Sequence, residues 1–91
     1  MNNMNINVKG AVAIAMDYLR SLDELLPAKQ LRLEETIKQD NGHWLITLSY
    51  QRPDSLDDRD YKIMEIDPQT KEVLAMRIRK PEVSGIDGGV Y

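Results

Sequence analysis

Four carboxylates crowd into one short stretch of this chain, Asp54, Asp57, Asp58 and Asp60. Closely spaced carboxylates can hold calcium, but the EF-hand loop also needs a central glycine and a terminal glutamate. Neither is present, so the stretch reads as a solvated acidic loop that can meet a basic partner. His43 is the single histidine. It follows Asn41-Gly42, an exposed turn position, and base catalysis would require an orienting partner and a pocket. Ser49 and Ser55 show no triad pattern, because a triad needs a histidine held by a carboxylate. Arg77, Arg79 and Lys80, with Arg32, could make a basic strip; alternating charge on a solvent face is its ordinary explanation. With no cysteine, disulfides, thiol catalysis and thiolate metal sites are excluded. The residues predict neither an enzyme nor a cofactor.

Composition narrows the partners. The 91 residues are 42% hydrophobic and 30% charged, with a net charge of −3. That length makes one domain. Nucleic-acid binders usually carry a basic excess that supplies much of their affinity, so nucleic acid is not an expected partner. No apolar run approaches the roughly 18 residues that span a membrane. The start, Met1-Asn2-Asn3-Met4-Asn5-Ile6-Asn7, lacks the basic and apolar regions of a secretory signal. If Met1 is the native start, a cytoplasmic location is expected; if the chain is a piece of a longer one, that expectation lapses.

The elements that would position these residues come from periodicity. Asn7 is a natural N-cap. Val8, Val12, Ala15, Leu19, Leu22 and Leu26 recur at helical spacing, widened by Ala11, Tyr18 and Leu25. Pro27 should end the helix, since the residue before proline avoids helical geometry. Four extended segments follow: Gln30–Lys38, His43–Gln51, Asp60–Asp67 and Lys71–Lys80. In the first, Leu31, Leu33 and Ile37 alternate with Arg32, Glu34, Thr36 and Lys38, a half-buried pattern. Asn41-Gly42 predicts a type I′ hairpin turn, with positive φ at both residues. Asp67-Pro68-Gln69-Thr70 predicts a β-turn with proline at its second position.

Short connections make the strands an antiparallel meander, and the helix is the available cover for one face. The predicted fold is α+β, one N-terminal helix on a four-stranded antiparallel sheet in two layers. Its domain spans residues 8–80, between flexible ends at 1–7 and 81–91. If Trp44, Ile46, Leu48, Met64, Ile66, Met76 and Ile78 face the helix, the other face carries Leu45, Tyr61, Ile63, Val73 and Ala75. Contiguous exposed apolar residues tend to mark interfaces. Leu45, Tyr61, Ile63 and Val73, with Asp54, Asp57 and Asp58, are therefore the candidate partner-binding residues.

Several segments carry a family resemblance: Ala11-Val12-Ala13-Ile14-Ala15, Gly42-His43-Trp44-Leu45-Ile46-Thr47-Leu48, Tyr61-Lys62-Ile63-Met64-Glu65-Ile66-Asp67 and Thr70-Lys71-Glu72-Val73-Leu74. Together, over about residues 8 to 80, they resemble a PepSY-like domain, of cystatin-like α+β architecture. Such domains show an aromatic after a glycine, then a strand ending in Asp, a turn and a Gly-Glu/Lys-Val step. Lys71 stands where that family has glycine, and the family is mostly exported. The Ala-rich helix with Tyr18-Leu19 also resembles YrhB-like immunity proteins, small cytoplasmic bacterial proteins. Both resemblances imply binding and inhibition, and neither carries a catalytic residue onto this chain. The expected function is a non-enzymatic protein-binding module, inhibitor- or immunity-like. The alternative is a homodimer or assembly subunit that pairs through its sheet.

Overall fold

The structure is a computed structural model and describes residues 5–22, 29–55 and 57–79. Helix α1 (Val8–Ser21) starts at Asn7, whose side-chain oxygen accepts from the Gly10 amide at 3.0 Å. That contact pairs one of the amides a helix start leaves open. The lead-in is tied down too, because the Ile6 amide donates to Pro68 O at 3.2 Å. Gly10 makes room for this approach; a Cβ there would lie 3.0 Å from Ile6 Cβ.

α1 ends at Ser21, short of the expected Leu26. The Ser21 hydroxyl donates back to Tyr18 O at 2.5 Å, and the Leu22 amide bonds Leu19 O at 3.1 Å. These i→i−3 contacts tighten and close the last turn. The readings on Met1–Met4, Leu25, Leu26, Pro27, Lys80 and the 81–91 tail fall outside the described residues.

Strands β1 (Lys29–Lys38), β2 (Trp44–Gln51), β3 (Arg59–Ile66) and β4 (Val73–Arg79) form one antiparallel sheet in the order β1-β2-β3-β4. With α1 packed on it, this is the two-layer α+β meander expected from the sequence. The first hairpin forms at Asn41-Gly42, but not as a type I′ turn. Gly42 alone takes positive φ, at 90°. Its amide bonds Gln39 O at 2.9 Å, and Gln39 N bonds His43 O at 2.9 Å. This is the longer hairpin in which one left-handed glycine follows an ordinary turn. Asn41 serves by side chain instead, its Oδ1 accepting from the His43 amide at 2.9 Å.

At the last turn the Asp67 carboxylate accepts from the Gln69 and Thr70 amides, at 2.8 and 3.3 Å. The chain then needs one left-handed residue to re-enter the sheet, and Lys71 supplies it at φ 65°.

The core lies between α1 and one face of the sheet. Ala11, Ala15 and Leu19 of α1 meet Ile46, Leu48 and Tyr50 of β2 and Met64 and Ile66 of β3, all fully buried. The two alanines let the helix sit close over the middle strands. Val12, Ile14, Met16, Leu31, Trp44 and Met76 pack around them. One helix is narrower than four strands, so the sheet margins stay bare. Tyr18 is exposed rather than widening the buried stripe. Ile78 lies on the helix side, in register with Lys62 and through it Leu48, yet is 71% exposed.

Two irregularities overturn the simple alternation. A register shift between Leu33 and Glu35 leaves Leu33 opposite Leu48 on the helix side, but puts Ile37 opposite Leu45 on the other face. A second, at Glu65/Ile66, pairs Val73 with Ile66. An extra residue in one strand flips everything beyond it. Val73 thus packs against the core and is not on the open face where the period-two reading placed it.

Candidate functional site

Among the described residues, no helix or strand covers the second face of the sheet. Strand register assigns it Ile37, Leu45, Thr47, Ser49, Tyr61, Ile63, Glu65, Ala75, Arg77 and Arg79. Three of the four apolar residues picked out from the sequence are therefore on this face, Leu45, Tyr61 and Ile63, all half-buried. Val73 is not. Ile37, 44% exposed, takes its place beside Leu45.

The face is not a bare apolar patch. Thr47 is 2% exposed and Ser49 fully buried, although no described helix or strand lies above them. Charged side chains from neighbouring strands meet Ser49. Arg59 Nε donates to Ser49 Oγ at 2.8 Å, and its Nη2 donates to Ser49 O at 3.1 Å and to Gln30 O. Ser49 in turn donates to Glu34 Oε2 at 2.6 Å, and Arg32 lies 3.3 Å from the same oxygen. The Ser49 hydroxyl, with Arg32 and Arg59, holds the Glu34 carboxyl below its usual range against a smaller opposing effect of burial. Further along, Arg79 of β4 reaches Glu35 of β1 at 3.7 Å and lies 6.0 Å from the centre of the Tyr61 ring. The predicted basic strip is thus charge-paired: Arg32 with Glu34, Arg79 with Glu35, and Arg77 with Glu65 at 3.7 Å. The result is an apolar centre, Ile37, Leu45, Ile63 and Ala75, bordered by alternating charges, the general anatomy of a protein interface.

The acidic loop is the far end of the β2–β3 hairpin and borders this face rather than lying on it. Arg52 sits between two of its carboxylates, with Nε 3.4 Å from Asp54 and 3.8 Å from Asp60. Asp58 accepts from the Ser55 hydroxyl at 3.1 Å, and Asp57 is exposed. Among the described residues, no group of three or more His, Cys, Asp or Glu side chains is arranged to hold a metal. Nor is any described helix long and apolar enough to cross a membrane.

The chemistry that sequence reasoning missed is at the opposite end of the sheet. His43 is half-buried, not exposed. Its Nδ1 lies 2.7 Å from Glu65 Oε2, and its Nε2 lies 3.9 Å from Asp67 Oδ2. The amides of Gln69 and then Thr70, helped by His43, hold the Asp67 carboxyl below its usual range. The available signal was pairing: once β2 and β3 form a hairpin with Trp44 opposite Ile66, His43 must fall near Asp67 and Glu65. Tyr50 shows the opposite extreme: its hydroxyl is buried with no hydrogen-bond partner among the described residues, and burial, then Asp60, raises its pKa.

Comparison with known proteins finds no matching family model, curated protein or solved structure.

Proposed function

We propose that this chain is a non-enzymatic, cytoplasmic protein-binding module of the inhibitor or immunity kind, which holds a partner on the open sheet face. The observation that carries the reading is the apolar centre at Ile37, Leu45 and Ile63, uncovered by any described element and framed by paired charges. Burying such a centre supplies affinity, while the charged border sets register and partner choice. The resemblance of the strand segments to PepSY-like domains, and of the helix to YrhB-like immunity proteins, points the same way. The acidic loop at Asp54, Asp57 and Asp58 adds a contact for a basic patch on that partner.

The test is capture of a partner by the immobilised chain, repeated with Ile63→Asp and Tyr61→Asp. Loss of the captured protein with both variants supports the reading; equal retention argues against this face. A second reading, self-association through the sheet, draws on the two edge strands: β1 and β4 each have only one neighbour among the described strands. Sedimentation at micromolar concentration separates the two, because a clean monomer removes the homodimer.

A further inference from the structure

A cavity of about 250 Å³ opens at the turn end of the sheet. Lys38, His43, Trp44, Asp67 and Gln69 are among its lining residues. Its chemistry follows from the His43 ring. A carboxylate can only accept, so the 2.7 Å contact with Glu65 Oε2 places a proton on His43 Nδ1. Arg77 braces the other oxygen of Glu65 at 3.7 Å. The Asn41 amide nitrogen also lies near Nδ1, at a longer 3.4 Å. With Nδ1 protonated, the neutral ring presents a lone pair at Nε2. Opposite it stands Asp67 Oδ2, at 3.9 Å, while Oδ1 of the same carboxylate is taken by the Gln69 and Thr70 amides. Two acceptors that face each other cannot bond each other; they call for a shared donor.

We propose that this cavity binds a primary ammonium group, held between His43 Nε2 and Asp67 Oδ2 beside the Trp44 ring. The spacing selects this ligand. A nitrogen about 2.8 Å from each acceptor would see them at an angle of about 90°, within reach of two N–H bonds of one ammonium. A metal ion at about 2.1 Å from each would need an angle of about 135°, wider than tetrahedral. The aromatic wall also accepts cations: the chain's own Lys38 Nζ lies 5.6 Å from the centre of the Trp44 ring. Lys38 is therefore a built-in competitor for any incoming amine.

Trp44 is the single tryptophan, so its fluorescence reports on the cavity directly. The intact chain is titrated with n-butylamine at about pH 8, where alkylamines stay charged. The expected result is a saturable change with Kd of about a millimolar. Asp67→Asn and His43→Gln should each weaken it by about tenfold, the scale of one charge-assisted hydrogen bond. Lys38→Gln should tighten it by about threefold, since a neighbouring like charge is gone. A short peptide with one lysine, beside its acetylated form, separates the sources: tighter binding of the unmodified peptide than of butylamine assigns the site to a partner's lysine, and equal binding assigns it to a free amine. No saturable response, an equal response to tetramethylammonium (which has no N–H to donate), or unchanged binding by both Asp67→Asn and His43→Gln would overturn the proposal.

Discussion

Arg59 at the start of β3 lays its guanidinium along Ser49 of β2, with Nε 2.8 Å from the hydroxyl oxygen and Nη2 3.1 Å from the carbonyl. The same Nη2 also meets Gln30 O on β1, where Gln30 takes a positive φ of 57°. One side chain from the third strand thus fixes the irregular start of the first. Hydrogen bonds to a charged group contribute about 1.5–3 kcal/mol each when removal strands a buried partner. Arg59→Met should therefore lower the unfolding free energy by about 2–3 kcal/mol, and amide exchange should quicken first at the β1 start. Denaturant melts with exchange read by NMR check both.

Glu34 links this network to pH. Its folded carboxyl lies below the ordinary value of 4.5, chiefly through the Ser49 hydroxyl. A depressed carboxyl contributes stability that is complete above its unfolded value and is lost as pH falls through its folded value. Asp67, depressed from 3.8, acts in the same direction. Stability should thus decline in acid from just below pH 4.5. Glu34→Gln should make the decline shallower without abolishing it, because Asp67 still titrates. Thermal melts across that range, for the chain and the variant, measure the two slopes.

Lys71 takes φ 65° in an otherwise well-bonded turn, where its amide donates to Asp67 O at 2.8 Å. For a residue with a Cβ, left-handed geometry costs about 1–2 kcal/mol that glycine avoids. Lys71→Gly should raise the unfolding free energy by about 1 kcal/mol after the added freedom of the unfolded chain is subtracted. Lys71→Val should lower it, since a β-branched residue fits that region worst.

The helix, the four strands and their order were legible because each rests on local periodicity and turn residues. So were the helix start at Asn7 and the turns at Asn41-Gly42 and Asp67-Pro68-Gln69-Thr70. The faces were only half legible. Leu31, Leu33 and Ile37 keep a clean period of two in sequence, yet the extra residue near Glu34 separates Ile37 from the other two. Nothing in the residue types announces a bulge, which arises from strand pairing and twist. Val73 crossed to the core for the same reason. The candidate site was legible as apolar residues on neighbouring strands. The charges that border it, from Arg79 to Glu35 and from Arg59 through Ser49 to Glu34, join positions far apart in sequence. His43 looked like a solitary turn residue until pairing brought Glu65 and Asp67 to it.

The most direct test of the binding reading is partner retention on Ile63→Asp, with Lys9→Asp on the exposed side of α1 as the control. Ile63 sits between Thr47 and Arg77 on the open face, while Lys9 is exposed and outside the core. Circular dichroism establishes that both variants keep the fold. A charge buried unpaired in an interface costs several kcal/mol, enough to weaken binding by about a thousandfold. A partner captured by the chain and by Lys9→Asp is expected to be lost from Ile63→Asp. Equal retention by all three proteins would contradict it.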